Sequence, residues 1–217
     1  MDGSSEFKLG RPLGRGFFDL TPVDLAHQLL GCVLATDLED GQVKLRITEV
    51  EAYGDVGQDP GSHAFRGMTE RNSSMFLPGG HVYVYRSYGI HWCMNIVAGR
   101  KNQSGGVLLR GGEVINGVDL AMRRRNSDGV CRMDRDLARG PGRLGSALGI
   151  TKDLNGADLV GNPKLRLYKP ISITSKDNEP VVESSTRTGV SGEGRHALWR
   201  FYLAGEPTVS PHKPAAS

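Results

Sequence analysis

Two segments carry residue types that can do chemistry. In Thr48-Glu49-Val50-Glu51-Ala52-Tyr53 two carboxylates and an aromatic stand at strand spacing. In His81-Val82-Tyr83-Val84-Tyr85-Arg86-Ser87-Tyr88-Gly89-Ile90-His91-Trp92-Cys93-Met94-Asn95 three of the six tyrosines and one of the two tryptophans fall in a single expected hairpin. Paired carboxylates suit hydrolysis, as bases toward water or as stabilisers of positive charge. Crowded rings suit a flat ligand held by stacking.

Side chains alternate along a strand, so Val43, Leu45 and Ile47 share a face, and unbroken alternation carries Glu49, Glu51 and Tyr53 onto it. A carboxylate there is either pushed up in pKa by desolvation or held ionised by a neighbouring cation or backbone donors. The competing pattern is a bulge near Thr48 that turns Val50 and Ala52 inward and leaves both glutamates in water. In the hairpin, His81, Tyr83, Tyr85 and Ser87 share one face, Val82, Val84, Arg86 and Tyr88 the other, and Tyr88 lies at or near the tip. An exposed aromatic tip needs a partner, and one use of it is as a wedge between stacked bases. The alternative is cross-strand packing of tyrosines, which suits Tyr83. His63 lies in the loop Asp59-Pro60-Gly61-Ser62-His63-Ala64-Phe65-Arg66-Gly67, where a site role competes with plain solvation. No His-x-x-x-His pair supplies metal-ligand spacing, and no metal or other cofactor is expected.

The overall charge of +3 conceals opposed regions. From Asp37 to Asp59 seven acids face Lys44 and Arg46, whereas from Ala121 to Lys152 eight bases (Arg123, Arg124, Arg125, Arg132, Arg135, Arg139, Arg143, Lys152) face three acids. The second region suits a polyanion, although Arg123-Arg124-Arg125 alone would read as a solvated helix face. In Gly140-Pro141-Gly142-Arg143 a helix start, glycines and a cation form a candidate phosphate-binding corner.

A chain of 217 residues with 38% apolar and 24% charged content suits one buried core. The three separated cysteines, Cys32, Cys93 and Cys131, argue against a disulfide framework or a four-cysteine site. No long apolar run or signal core is present, so a cytoplasmic protein with no membrane association is expected. Residues 1–10 read as a cloning remnant, 11–206 as one domain and 207–217 as a disordered tail. Thr21-Pro22-Val23-Asp24 starts a helix that stops at Gly31 and packs by Val23, Ala26, Leu29 and Leu30. Strands are expected over 32–38 and 42–53, through Glu39-Asp40-Gly41, and at 107–110, 164–173 and 199–203. Asn116 is expected to cap a helix running to Arg125, and a short helix spans 141–148. This order makes a mixed α/β (α+β) fold: a mainly antiparallel sheet with flanking helices rather than β–α alternation.

At these motifs the chain resembles the alkyladenine (3-methyladenine, methylpurine) DNA glycosylase family. The resemblance runs from Thr48–Tyr53 through Ser62-His63-Ala64-Phe65-Arg66-Gly67, Arg71-Asn72, Met75-Phe76, the His81–Asn95 hairpin and Val107-Leu108-Leu109-Arg110. It continues through Arg139-Gly140-Pro141-Gly142-Arg143-Leu144 to Gly189-Val190 and Trp199-Arg200-Phe201-Tyr202. It implies a single domain on a curved, mainly antiparallel sheet with a protruding hairpin, no cofactor, and a monomer that binds duplex DNA through the minor groove. Such an enzyme flips a damaged purine out of the stack and hydrolyses its glycosidic bond. The resemblance assigns Glu51 as the base that activates water and Arg110 beside that water. Tyr53, His63 and Tyr85 become the walls of a base pocket, and Asn95 the residue that disfavours guanine's amino group. Tyr88 becomes the wedge, with Ile90 beside it at the DNA, and Arg143 and Lys152 the phosphate contacts. Glu70 and Arg86-Ser87 depart from the family's pattern, where a proline and a more apolar pair are common. Two rivals make different demands: a non-catalytic nucleic-acid binder that uses the hairpin as a stacking platform has no need of Glu51, and a sugar hydrolase would need Glu49 and Glu51 to flank its substrate.

Overall fold

The computed structural model describes residues 9–127, 129–170 and 180–213. Among them the order of elements is β1 (Leu9–Pro12), α1 (Pro22–Leu29), β2 (Val33–Leu38), β3 (Gly41–Tyr53), β4 (Val82–Ser87), β5 (His91–Val97), β6 (Gly106–Asn116), α2 (Val118–Ser127), β7 (Ala138–Arg139), α3 (Pro141–Leu148), β8 (Leu165–Pro170), β9 (Val182–Ser185) and β10 (Arg200–Leu203). The strands form one antiparallel sheet in the order β1-β8-β2-β3-β6-β5-β4, with β10 joining β3 to β9 and β7 on β6. The fold is a mixed α/β domain, as expected.

Local chemistry accounts for several helix ends. The Thr21 hydroxyl accepts from the Asp24 amide at 3.2 Å and Pro22 opens α1. The buried stripe of this helix is Leu25, Ala26 and Leu29, while Val23 and Leu30 pack at its margin. The helix expected from Asn116 instead begins at Val118, because β6 continues to Asn116, and Gly117 makes the turn at φ +76° with no room for a Cβ against the Gln42 carbonyl. α3 spans the expected residues and ends at Gly149 in the left-handed region. A Cβ at Gly145 would meet the Trp92 carbonyl oxygen at 2.0 Å, so this helix lies directly on β5.

Pairing and burial reach both ends of the described residues. Leu9 lies in β1 and pairs with β8, and Val182–Ser185 form an unexpected strand beside β10. The segment expected to be a loose tail packs instead: Thr208 and Ser210 are buried, and the Ser210 amide donates to Glu49 Oε2 at 2.7 Å. Residues 1–8, 171–173 and 214–217, which the expectations above also covered, lie outside the described residues.

Register irregularities decide which way the glutamates point. Ile47 pairs with Gly112 and Glu49 with Gly111, so Thr48 is the extra residue on β3; Val50 then pairs with Leu109, so Arg110 is the extra residue on β6. The two bulges restore the register and reverse the faces. Val43, Leu45, Ile47, Val50 and Ala52 all join the main core, and Glu49 and Glu51 turn to the other side. The bulge at Thr48 is therefore real, but the glutamates are not in water: both are fully buried beneath the C-terminal segment and the loop after β9.

Candidate active site

A cleft of about 530 Å³ opens where β3, β4, β5 and β6 meet the loops at 60–63 and 188–191. Its lining includes Tyr53, His63, Tyr85, Tyr88, Asn95 and Arg110, so six residues singled out in the sequence converge on one space. Tyr83, Leu108 and Met75 add to the wall. The rings have fixed mutual geometry. His63 meets Tyr85 edge to face at 4.7 Å between centroids, and Tyr83 stacks on Tyr85 at 5.6 Å. His63 Nδ1 lies 3.1 Å from the Tyr83 hydroxyl. Tyr83 is thus core packing on one side and a brace for the histidine on the other. Burial, with Arg71 nearby, lowers the His63 pKa and favours the neutral ring. The Asn95 amide nitrogen donates to the Tyr83 carbonyl oxygen at 3.1 Å, which orients that side chain at the wall. Burial pushes the Cys93 thiol up to about 11, which rules it out as a nucleophile at neutral pH.

Glu51 lies just beneath this lining. Its Oε2 accepts from the Tyr53 hydroxyl at 2.9 Å and from Arg110 Nη1 at 3.2 Å, and its Oε1 accepts from the Thr188 amide at 2.6 Å. All three donors belong to residues that line the cleft. Burial, reinforced by Glu51, raises the Tyr53 pKa well above its usual value, so the phenol stays protonated and donates. Arg110 is a bridge: its Nε donates to Glu49 Oε1 at 3.0 Å while its Nη1 serves Glu51. Burial pulls against its charge, yet the two glutamates hold its pKa above normal. Glu49 accepts in addition from Arg200 Nε at 2.7 Å and from the Ser210 hydroxyl at 2.8 Å. Its lone pairs are therefore taken within the protein, so Glu49 cannot pair with Glu51 as the acid and base flanking a substrate that a sugar hydrolase would need.

Tyr88 reaches this cleft from an exposed turn, whereas Ile90, Arg143 and Lys152 lie apart from it. Tyr88 and Gly89 form the β4–β5 turn with φ of +49° and +69°. A tyrosine in the left-handed region is uncommon, and its side chain is 92% exposed. Ile90, 66% exposed, lines a separate cleft with Arg86, His91 and Trp92, where the Arg86 guanidinium lies 5.6 Å from the Trp92 ring. Arg143 is exposed in the first turn of α3 and Lys152 on a 3-10 turn beyond it; neither reaches the main cleft. Within the basic stretch, Arg124 is bound to Asp40, Arg125 is buried, and Arg139 donates to the Val209 carbonyl oxygen at 2.9 Å. These three hold the fold; Arg123, Arg132, Arg135, Arg143 and Lys152 are exposed.

Sequence reasoning missed Thr188, which acts through its backbone, and the pair Asp59–Arg187. Arg187 Nη1 and Nη2 donate to the two Asp59 oxygens at 2.6 and 2.7 Å, fully buried. Its guanidinium lies 4.6 Å from the Tyr53 ring centroid. Gly61 leaves the room this pair occupies: a Cβ there would meet Arg187 Nη2 at 2.7 Å. Among the described residues no three of His, Cys, Asp and Glu converge to hold a metal ion, and no helix is long and apolar enough to cross a membrane.

The family model for methylpurine-DNA glycosylase matches residues 16–207. Similar proteins, each provisionally named a 3-methyladenine DNA glycosylase, include one from Streptomyces avermitilis, 47% identical over 93% of this chain and 92% of its own length. One from Leifsonia xyli subsp. xyli is 46% identical over 97% and 96%, and one from Methanoculleus marisnigri is 42% identical over 91% and 98%. The chain belongs to the methylpurine-DNA glycosylase family.

Proposed function

We propose that the protein is a monofunctional DNA glycosylase of base excision repair. It takes alkylated or deaminated purines, of the 3-methyladenine, 7-methylguanine, hypoxanthine and ethenoadenine class, out of duplex DNA and hydrolyses the N-glycosidic bond, leaving an abasic site. Family membership supports the glycosylase class. The observation that carries the mechanism is Glu51, sealed under an aromatic cleft and bonded to Tyr53, Arg110 and Thr188.

The flipped base lies between Tyr53 on one side and Tyr85 with His63 on the other, and recovers stacking worth about 1–3 kcal/mol. Tyr88 fills the vacated gap in the minor groove, which offsets a flipping cost of a few kcal/mol. As the bond breaks, the sugar gains oxocarbenium character. Glu51 then stabilises that charge and takes a proton from the attacking water, while Arg110 and the Thr188 amide bound the water's position. No lysine lines the cleft, which favours hydrolysis over Schiff-base lyase chemistry.

The test is incubation with duplexes holding a single hypoxanthine or 1,N6-ethenoadenine, followed by alkali. Strand cleavage only after alkali is expected. Cleavage before alkali would refute the monofunctional assignment, and intact strands with every lesion would refute the function.

A further inference from the structure

The buried charges around the cleft floor balance. Glu49, Glu51 and Asp59 stand against Arg110, Arg187 and Arg200, each nearly or fully buried. Two of the guanidinium groups are held by the glutamates. The third, Arg187, sits behind Tyr53: Asp59 holds it on both nitrogens, the Ala52 and Gly194 carbonyl oxygens each accept from it at 3.0 Å, and its carbon lies 4.6 Å from the Tyr53 centroid and 5.3 Å from that of Trp199. The cation is thus fixed over the ring of a residue that lines the cleft.

A cation on one face of an aromatic ring draws on the same negative quadrupole that would attract a positive ligand on the other face. Asp59 cancels that competition at its source. A carboxylate fixed in bidentate contact makes the pair nearly neutral as seen from across the ring, so Tyr53 can still stack on a cationic purine.

Resting on the function proposed above, we infer that the Asp59–Arg187 pair sets the discrimination between cationic and neutral damaged bases by fixing the charge behind Tyr53. Neither residue touches the base in this reading; both act through the ring. Neutralising the acid alone leaves an uncompensated guanidinium roughly 8 Å from a stacked base, where an effective dielectric of about 30 gives a repulsion equal to about a tenfold change in rate or affinity for a cationic base.

The experiment compares single-turnover excision of 7-methylguanine, which is cationic, with that of hypoxanthine, which is neutral, from otherwise identical duplexes at pH 6.5. In Asp59→Asn the ratio of cationic to neutral excision should fall about tenfold relative to the unsubstituted protein. The double variant Asp59→Asn/Arg187→Gln, neutral on both sides, should bring the ratio back, even where both rates are lower. Arg187→Gln alone leaves an unbalanced carboxylate and should move the ratio the opposite way, which keeps the test decisive if Asp59→Asn does not fold. Equal losses for both lesions in every variant, or a double variant that keeps the skewed ratio, would overturn the inference and leave the pair a merely structural clamp. Unsubstituted protein that releases neither base would instead refute the glycosylase reading on which it rests.

Discussion

Replacing Glu49 with glutamine tests the buried network from which Glu51 hangs. The two side chains have nearly the same shape, so no cavity forms and the change is electrostatic. Glu49 accepts from Arg110 Nε at 3.0 Å, Arg200 Nε at 2.7 Å, the Ser210 amide at 2.7 Å and the Ser210 hydroxyl at 2.8 Å. Glutamine offers one oxygen and turns an N–H toward donors that have no other acceptor there. Removing one partner of a buried ion pair costs about 3–5 kcal/mol. At about 2–4 °C per kcal/mol for a chain of this size, that lowers Tm by roughly 6–20 °C. The exposed pair Arg100–Asp19 serves as the control; Asp19→Asn should cost less than about 1 kcal/mol. The pH dependence has a definite sign. Burial pushes the Glu49 pKa up, but Arg110, Arg200 and the Ser210 amide outweigh it and the folded value lies below normal. A depressed carboxylate contributes stability above its unfolded pKa, about 4.3, and loses that contribution as pH falls through the folded value. Urea unfolding of the two proteins should therefore show the full gap at pH 6–7, narrowing as pH drops below about 4. A gap under about 1 kcal/mol at pH 7, or one independent of pH, would refute the network as drawn.

Three further outcomes are expected. Tyr53→Phe keeps the ring and removes the hydroxyl bonded to Glu51, so lesion binding should hold while single-turnover excision falls about tenfold, read by quench flow. Tyr88→Ala should weaken binding to a lesion duplex far more than to the same single strand in a fluorescence anisotropy titration; an unchanged duplex preference would contradict the wedge. Neutral lesions gain from protonation of the purine and cationic ones do not, so hypoxanthine excision should depend more steeply on pH than 7-methylguanine excision, as parallel pH–rate profiles would reveal.

Much of the architecture is legible in local chemistry. Thr21-Pro22, Glu39-Asp40-Gly41 and the Pro141–Gly149 helix act through short-range caps and turns, and the structure carries them out nearly residue for residue. The orientation of Glu51 is different. Period-two alternation puts it in the core and a bulge frees it, and only the partner strand decides, because Arg110 is the compensating extra residue on β6. Gly111 and Gly112 mark the place: a Cβ at either would strike the Thr208 carbonyl oxygen or Leu45. Strand pairing is a long-range property, so a pattern read along one strand leaves both faces open. The covering of Glu49 by Ser210 was illegible for a related reason. Pro207–Lys213 has the composition of a loose tail, and its order comes from buried acceptors many residues away. Likewise, no local feature of Arg187 signals its pairing with Asp59, whereas Tyr83 and Tyr85 share one face by simple alternation and both line the cleft.

The role of Glu51 is tested most directly by Glu51→Gln, with lesion-duplex affinity and single-turnover excision measured on the same preparation. Glutamine keeps the shape and can still accept from Tyr53 or Thr188, but cannot take a proton from water. Affinity within a few-fold of the unsubstituted protein, with excision lost by at least about a thousandfold, is the expected result. Excision equal to that of the unsubstituted protein would remove Glu51 from the chemistry.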